Sequence, residues 1–261
     1  MPPLSPPRSD PSQWARAVRQ WWGGWWQVIH FGAQVMVLAL SPSSYRRAPR
    51  QAMVRSIYRA TMPLLRSFTV ISALIALVII RIVLATAISY GLSRYALDVL
   101  VRTLVLELIP LSAALFVAVR YSLAAGDTVR ALRARGPAGE DLVRDAVLPR
   151  VMAGVFAVVT LATVSSAVTL ALTYLSVYGF STWGLAGFTR AVGQVFNPVI
   201  TLIFVLKTLC FSLAVTVVPM VTTPREIAAG ATLANADLTR LARLLAVILL
   251  VEVGSLVGNY Y

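Results

Sequence analysis

Charged side chains are scarce in this chain, and acidic ones are the scarcest. Only 13% of the 261 residues are Asp, Glu, Lys or Arg, whereas a soluble domain of this size carries roughly a quarter. Apolar residues make up 58%. So few charges leave too little polar surface for a protein surrounded by water, and burial in lipid removes that requirement. The composition therefore indicates an integral membrane protein.

Cysteine, histidine and catalytic motifs are also nearly or wholly missing. Cys210 and His30 are the single residues of their types, so neither a disulfide nor a Cys/His metal site can form within the chain. We interpret His30 as an interfacial residue. No P-loop, GxSxG or HExxH string is present. We therefore expect no metal, no cofactor and no catalytic residue, and any ATP would be bound by a partner subunit.

Apolar runs are what the chain has in quantity. A spanning helix needs ~20 mostly apolar residues, and five runs meet that length: 62–90, 96–125, 147–178, 197–221 and 239–258. We predict an all-α integral membrane protein, with a Pro-rich disordered cytoplasmic tail at 1–12 and a single transmembrane domain at 13–261.

Tryptophan is concentrated near the beginning, within residues 13–42. Trp21, Trp22, Trp25 and Trp26 flank two glycines there. Trp rings prefer the headgroup level, where the ring is apolar and its N–H is wet. We predict an amphipathic helix that lies in the membrane interface; a short first span is the alternative.

Arginine is distributed unevenly over the predicted topology. Nine Arg lie in residues 1–66, six in 120–150 and three in 222–243, against only three in the loops of the other side. Loops rich in Lys and Arg stay in the cytoplasm, which predicts a cytoplasmic N-terminus and a C-terminus on the opposite side. Because the Arg residues alternate with apolar runs, they fit anionic lipid better than nucleic acid.

Three ionisable residues inside predicted spans stand out: Arg81, Glu107 and Lys207. Such residues are functional candidates, and the alternative is an ion pair that only holds helices together. Pro110 is predicted to kink or break the second span.

The longest polar insertion, residues 126–150, suggests two short amphipathic pieces separated by Gly136-Pro137. These pieces favour docking on a cytoplasmic partner over a bare connector.

Three strings resemble the MlaE family of ABC permeases, which serve MCE-type lipid transport systems of diderm bacteria. They are LVLELIPLSAALFVAVRYSLAAG at 104–126, VLPRVMAGV at 147–155 and LIFVLKTLCFSLAVT at 202–216. The matching positions are Glu107, Leu108, Pro110, Arg120, Pro149, Arg150, Ala153, Lys207 and Phe211. The chain departs from the motif at Leu106, Ile109 and Val119, and its loop is about one residue short, with Asp127 in place of the family's Glu.

The resemblance implies an MlaE-like permease of the bacterial inner membrane that dimerises, as a homodimer or a related heterodimer. It would sit on ABC ATPase subunits and meet MCE-domain proteins in the periplasm. By register, the lipid pocket maps to Tyr90, Glu107 and Lys207. The coupling loop, 126–146, would contact the ATPase through Asp127, Arg130, Leu132, Arg133 and Arg135, while Pro110, Arg120, Pro149 and Arg150 are motif positions with a structural role.

The expected function is movement of phospholipid or a related lipid between the inner membrane and MCE proteins, which maintains outer-membrane lipid. Lys207 would meet a lipid phosphate, and Glu107 would pair with Lys207 when the site is empty. Two alternatives stay open: a membrane scaffold that has lost transport, and an ABC permease for a different hydrophobic substrate.

Overall fold

The computed structural model describes residues 11–41, 50–135, 142–221 and 233–260, and these residues contain no strand. The described residues form seven helices: α1 (Pro11–Leu40), α2 (Arg50–Ser89), α3 (Ser93–Arg135), α4 (Val143–Tyr178), α5 (Leu185–Val195), α6 (Pro198–Val217) and α7 (Leu233–Tyr260). Helix α3 consists of five segments without interruption: Ser93–Leu100, Val101–Leu108, Ile109–Val117, Ala118–Ser122 and Leu123–Arg135. Helix α4 consists of Val143–Val147 and Leu148–Tyr178, and a 3₁₀ turn at Val218–Met220 follows α6. Most of the predicted N-terminal tail, the Gly136-Pro137 turn and residues 222–232 lie outside the described residues.

Five of these helices contain stretches long and apolar enough to cross a membrane. The stretches are Val54–Ser89, Tyr95–Arg135, Val143–Tyr178, Pro198–Met220 and Arg240–Gly258. The apolar part of α1, Trp25–Leu40, is shorter than a span. The predicted all-α membrane fold, with five spans and a separate N-terminal helix, is confirmed. The location of α1 in the interface stays a prediction.

One apolar cluster joins all five spans. It includes Phe68 of α2, Val117 of α3, Leu161 of α4, Phe211 of α6 and Leu244 of α7, each with at most 3% of its surface exposed. Because each span contributes to the same core, the helices form one bundle. Their alternating directions place the Arg-bearing ends of α2, α3, α4 and α7 together with the carboxyl end of α6, and we refer to this end as the arginine-rich end.

The second half of α1 packs on the arginine-rich end. Val35, which is 2% exposed, belongs to an apolar cluster with Val129 of α3, Val151 of α4 and Met220 after α6. At the opposite end, Tyr174 of α4 packs edge-on against Phe188 of α5, with ring centroids 5.2 Å apart. Val35 of α1 is therefore buried against the bundle, whereas Trp26, Val37 and Leu40 of the same helix remain largely exposed.

Two of the spanning helices change their winding next to a proline. Residues Val101–Leu108 of α3 are π-helical, and the Ile109 N–H donates to the Leu104 carbonyl five residues back. The helix then continues through Pro110, so the break that the sequence allowed does not occur. The second of these helices is α4, in which the π-helical turn Val143–Val147 precedes Pro149. A further π-helical turn, Ala118–Ser122, lies in α3. Such turns recur at functional positions in helices.

The polar segment after the second span differs from its prediction in one respect. Residues 126–135 are helical, as expected, but they continue α3 to Arg135 instead of forming a separate short helix. The spanning helix and the predicted coupling segment are therefore one structural element.

Candidate functional site: a buried ion-pair cluster

Lys207 lies near the middle of α6 and is almost completely buried, with 3% of its surface exposed. Pro198 begins the helix in the position where a missing N–H is tolerated, and the Asn197 side chain accepts a hydrogen bond from the Ile200 N–H at 2.8 Å. The Lys207 ammonium also lies 5.7 Å from the centre of the Phe211 ring, one turn further along the helix.

Two carboxylates meet the Lys207 ammonium. Its Nζ donates to Glu107 Oε2, from the π-helical part of α3. Glu252 of α7 contributes a second ion pair, with Nζ and Oε2 2.9 Å apart. Both carboxylate side chains are about 85% buried. We call Glu107, Lys207 and Glu252 the ion-pair cluster; it connects three spanning helices.

The ion-pair cluster holds an unequal number of charges. Full ionisation would place two negative charges and one positive charge in a poorly solvated region, where charge imbalance is expensive. Lys207 is thus already paired with two acidic groups. An anionic group can bind Lys207 only by displacing one of the carboxylates.

The motif arginines gather at the arginine-rich end. Arg120 and Arg150 line one cavity of about 470 Å³, together with Arg59 of α2, Tyr121 and Pro149. The Tyr121 hydroxyl donates to the Arg150 carbonyl at 3.1 Å, which ties α3 to α4. The motif residue Arg120 is thus a neighbour of Pro149 and Arg150, which lie about 30 residues further along the chain.

The coupling segment is anchored to the rest of the bundle. Asp127 forms ion pairs with Arg240 of α7 at 3.2 Å and with Arg130 at 3.4 Å. The Arg133 guanidinium lies 5.2 Å from the centre of the Phe31 ring of α1. Two of the predicted contact residues, Leu132 and Arg135, point outward. Three of the five predicted docking residues, Asp127, Arg130 and Arg133, therefore make internal contacts in this structure.

Residues 53–255, more than three quarters of the chain, match the family described as permease MlaE. The chain belongs to the MlaE permease family. No curated protein sequence matches it. The matched region contains the whole ion-pair cluster and the four motif positions Pro110, Arg120, Pro149 and Arg150, and it excludes α1.

Membership in the MlaE family assigns this chain the role of a membrane permease, the transport subunit of an ABC system. The suspected resemblance is thereby confirmed. The coarse functional class and the fold rest on that match together with the five spans. The roles of individual residues are not decided by membership and stay predictions.

Two predicted residues of this MlaE permease lie away from the ion-pair cluster. Tyr90 follows the last residue of α2 and is 75% exposed. Arg81, also on α2, has an exposed side chain. The expectation that Arg81 faces a partner, a cavity or water stays a prediction. Of the three residues assigned to the lipid pocket, only Glu107 and Lys207 are brought into contact.

Sequence reasoning missed Glu252. Its signal was present, because it is the single charge in the apolar run LLAVILLVEVGSLVG of the fifth span. The rule that selected Glu107 and Lys207, that an ionisable residue within a span is a candidate, selects Glu252 equally.

Proposed function

We propose that this chain is the permease subunit of an ATP-driven transporter that moves phospholipid, or a related lipid, between the bacterial inner membrane and periplasmic MCE-domain proteins. The observation that carries the proposal is a buried lysine between two carboxylates in the membrane core of an MlaE-family permease. The chain has no ATP-binding motif of its own, so a partner ATPase supplies the energy.

Lys207 supplies the recognition chemistry in this proposal. A phospholipid has apolar tails and an anionic phosphate, and an ammonium binds phosphate as a point charge with three donors. Glu107 and Glu252 hold the ammonium while no lipid is present. An arriving phosphate exchanges with one carboxylate, so the ammonium keeps an anionic partner throughout.

The partners are those that the MlaE resemblance implies, and the distribution of charge along the chain assigns the ATPase to one side of the membrane. The arginine-rich end is cytoplasmic by the positive-inside rule. The ATPase docks there, on the exposed Leu132 and Arg135 at the end of α3. A second permease copy completes the transporter, and MCE-domain proteins receive lipid on the periplasmic side.

Lipid loading tests the role of Lys207. We expect Lys207→Ala to lower the phospholipid that co-purifies with the complex, as measured by mass spectrometry of extracted lipid. Cys210→Ala is the control, because Cys210 is half-buried on the same helix and outside the cluster. An unchanged lipid content would reduce Lys207 to a structural role, and a different bound compound would identify another substrate.

Co-purification tests the transporter class. The tagged chain should bring a P-loop ATPase in mild detergent, and a Gly/Ser replacement of residues 130–135 should abolish coupling of ATP hydrolysis to lipid movement. Absence of any ATPase, or full tolerance of the replacement, would favour the non-transporting scaffold.

A further inference from the structure

A separate site lies between α2 and α3, away from the ion-pair cluster. Its first part is a half-open groove of about 490 Å³, within the ~300–1,000 Å³ range of ligand pockets. The lining includes Phe68 and Ile75 of α2 and Leu108, Leu115 and Phe116 of α3. Arg120 is the single charged residue among those that line it, and it lies toward the arginine-rich end.

The two serines of this groove do not make it polar. The Ser72 hydroxyl donates to the Thr69 carbonyl at 3.2 Å, and the Ser112 hydroxyl donates to the Ile109 carbonyl at 3.1 Å. Each hydroxyl is thereby used within its own helix. The groove presents hydrocarbon along its length, which suits an acyl chain.

Arg120 also lines the second part, the cavity of about 470 Å³ that contains Arg59 and Arg150. The three guanidiniums come from three different helices. No carboxylate belongs to the lining of either part among the described residues. Arg59 and Arg120 are exposed, and Arg150 Nη1 donates to the Ala146 carbonyl, so the cavity presents positive charge with no acid among the described residues of its lining. Because like charges repel, an anion in this cavity would be stabilising. Guanidinium groups bind phosphate through paired N–H donors.

We propose that these adjoining cavities bind one anionic phospholipid from the leaflet at the arginine-rich end. An acyl chain lies in the groove, and the phosphate lies among Arg59, Arg120 and Arg150. Because Arg120 borders both parts, it marks the point where the apolar tail meets the charged headgroup. The ligand is therefore a lipid and not a free phosphate, which would leave the groove empty.

This inference goes beyond the proposed transport function and does not depend on it. Neither Lys207 nor either carboxylate of the ion-pair cluster lines the groove or the cavity. The site is thus defined by binding, whether its occupant is later transported or stays in place.

Native mass spectrometry of the full chain in mild detergent tests the proposal. The probes are phosphatidylglycerol, phosphatidylcholine with the same acyl chains, and glycerol phosphate. We expect phosphatidylglycerol to bind more tightly than phosphatidylcholine, and glycerol phosphate not to compete. The double variant Arg59→Gln/Arg120→Gln should weaken phosphatidylglycerol binding by about tenfold or more, since each basic residue near anionic lipid contributes substantially. Arg55→Gln, one turn from Arg59 and outside the lining, should not.

Filling the groove provides a second, independent arm. Ser112→Phe should weaken both lipids, whereas Leu74→Phe, on the exposed outer side of α2, should weaken neither. Should Ser112→Phe fail to fold, the arginine variants still decide the question, because Arg59 and Arg120 are exposed and can be replaced without disturbing the core.

Three results would overturn the proposal. Equal binding of glycerol phosphate would indicate a site for soluble anions. Lipid binding unaffected by every variant would indicate lipid held elsewhere on the bundle. Lipid binding that disappears when two copies associate would indicate that a second copy covers the groove. Lys207→Ala should remove only lipid held by the ion-pair cluster, so failure of the proposed function is recognised separately.

Discussion

Lys207 pairs with two carboxylates inside the membrane. Because one basic group meets two acidic ones, substitutions of the three side chains should change the stability of the protein by different amounts. Replacing either Glu by Gln leaves one positive and one negative charge, which is a balanced pair. Replacing Lys207 leaves two carboxylates facing each other without a cation. Removing one partner of a buried pair typically costs ~3–5 kcal/mol.

We therefore predict that Lys207→Met lowers the thermal midpoint in detergent far more than Glu252→Gln does. The triple variant Lys207→Met/Glu107→Gln/Glu252→Gln should recover most of the loss, because no uncompensated charge remains. The measurement is thermal unfolding followed by intrinsic fluorescence. Equal losses for Lys207→Met and Glu252→Gln would contradict the charge argument.

Asp127 also connects two helices through its charge. Its partner Arg240 is 2% exposed, whereas the Asp127 side chain is about half exposed. We predict that Asp127→Asn costs about 1–2 kcal/mol, less than a fully buried pair because solvent screens the exposed carboxylate. Thermal unfolding checks this, with Asp145→Asn as control because Asp145 is exposed at the start of α4. A control that loses as much would refute a specific role for Asp127.

At the scale of the helices, close backbone contact at Gly126 fixes where α3 meets the end of α6. A Cβ at this position would lie 2.5 Å from the Pro219 carbonyl oxygen, which is main chain and cannot rotate away. Small residues allow such approach between membrane helices.

We predict that Gly126→Ala destabilises the protein by about 1–3 kcal/mol through overpacking. Gly254→Ala is the matched control, since nothing lies within 4 Å of the added Cβ and Ala favours a helix. Thermal unfolding of both variants makes the comparison. Similar behaviour of the two would show that α3 and the 3₁₀ turn can separate at little cost.

The spanning helices were predictable because lipid imposes one requirement on every span, about 20 apolar residues in a row. The fifth span, predicted at 239–258, is found at Arg240–Gly258. Winding was less predictable. Pro110 predicts an irregularity in the second span, but whether the helix breaks or adopts π-helical turns depends on what packs around it. The structure has π-helical turns at Val101–Leu108.

The candidate site was predictable in part. Glu107 and Lys207 are recognisable in the sequence as charged residues within apolar runs. Neither run shows how many partners each charge has in the folded chain, so Glu252 was missed. Tyr90 was assigned by register with a family motif, and register does not say which way the end of α2 faces. Arg59, Arg120 and Arg150 line one cavity because three helices pack together. No single segment of the sequence predicts that these three residues are neighbours.

For the whole molecule, the uneven arginine distribution predicts the orientation in the membrane. Ala134 lies near the arginine-rich end of α3, and Thr182 lies between α4 and α5 at the other end; both are exposed. In a Cys210→Ala background, we expect an impermeant maleimide to label Thr182→Cys in intact spheroplasts. Ala134→Cys should react only after lysis.

Labelling of Ala134→Cys from outside would reverse the topology and with it the side on which the ATPase docks. Labelling of both positions in intact spheroplasts would instead indicate that the spheroplasts are permeable to the maleimide. A cytoplasmic protein with an introduced cysteine is the control, because it should be labelled only if the spheroplasts leak.

The helices α3 and α7 are cross-braced at two levels. Asp127 and Arg240 join them at the arginine-rich end, and Glu107, Lys207 and Glu252 join them inside the membrane. The braces are 20 residues apart on α3, about 30 Å, but only 12 residues apart on α7, about 18 Å. Because the two helix segments between these contacts differ in length, α3 and α7 cannot slide past each other without rotating. We therefore expect a tilt of the arginine-rich end of α3 to turn Glu107 and Glu252 about Lys207, which would couple the membrane surface mechanically to the ion-pair cluster.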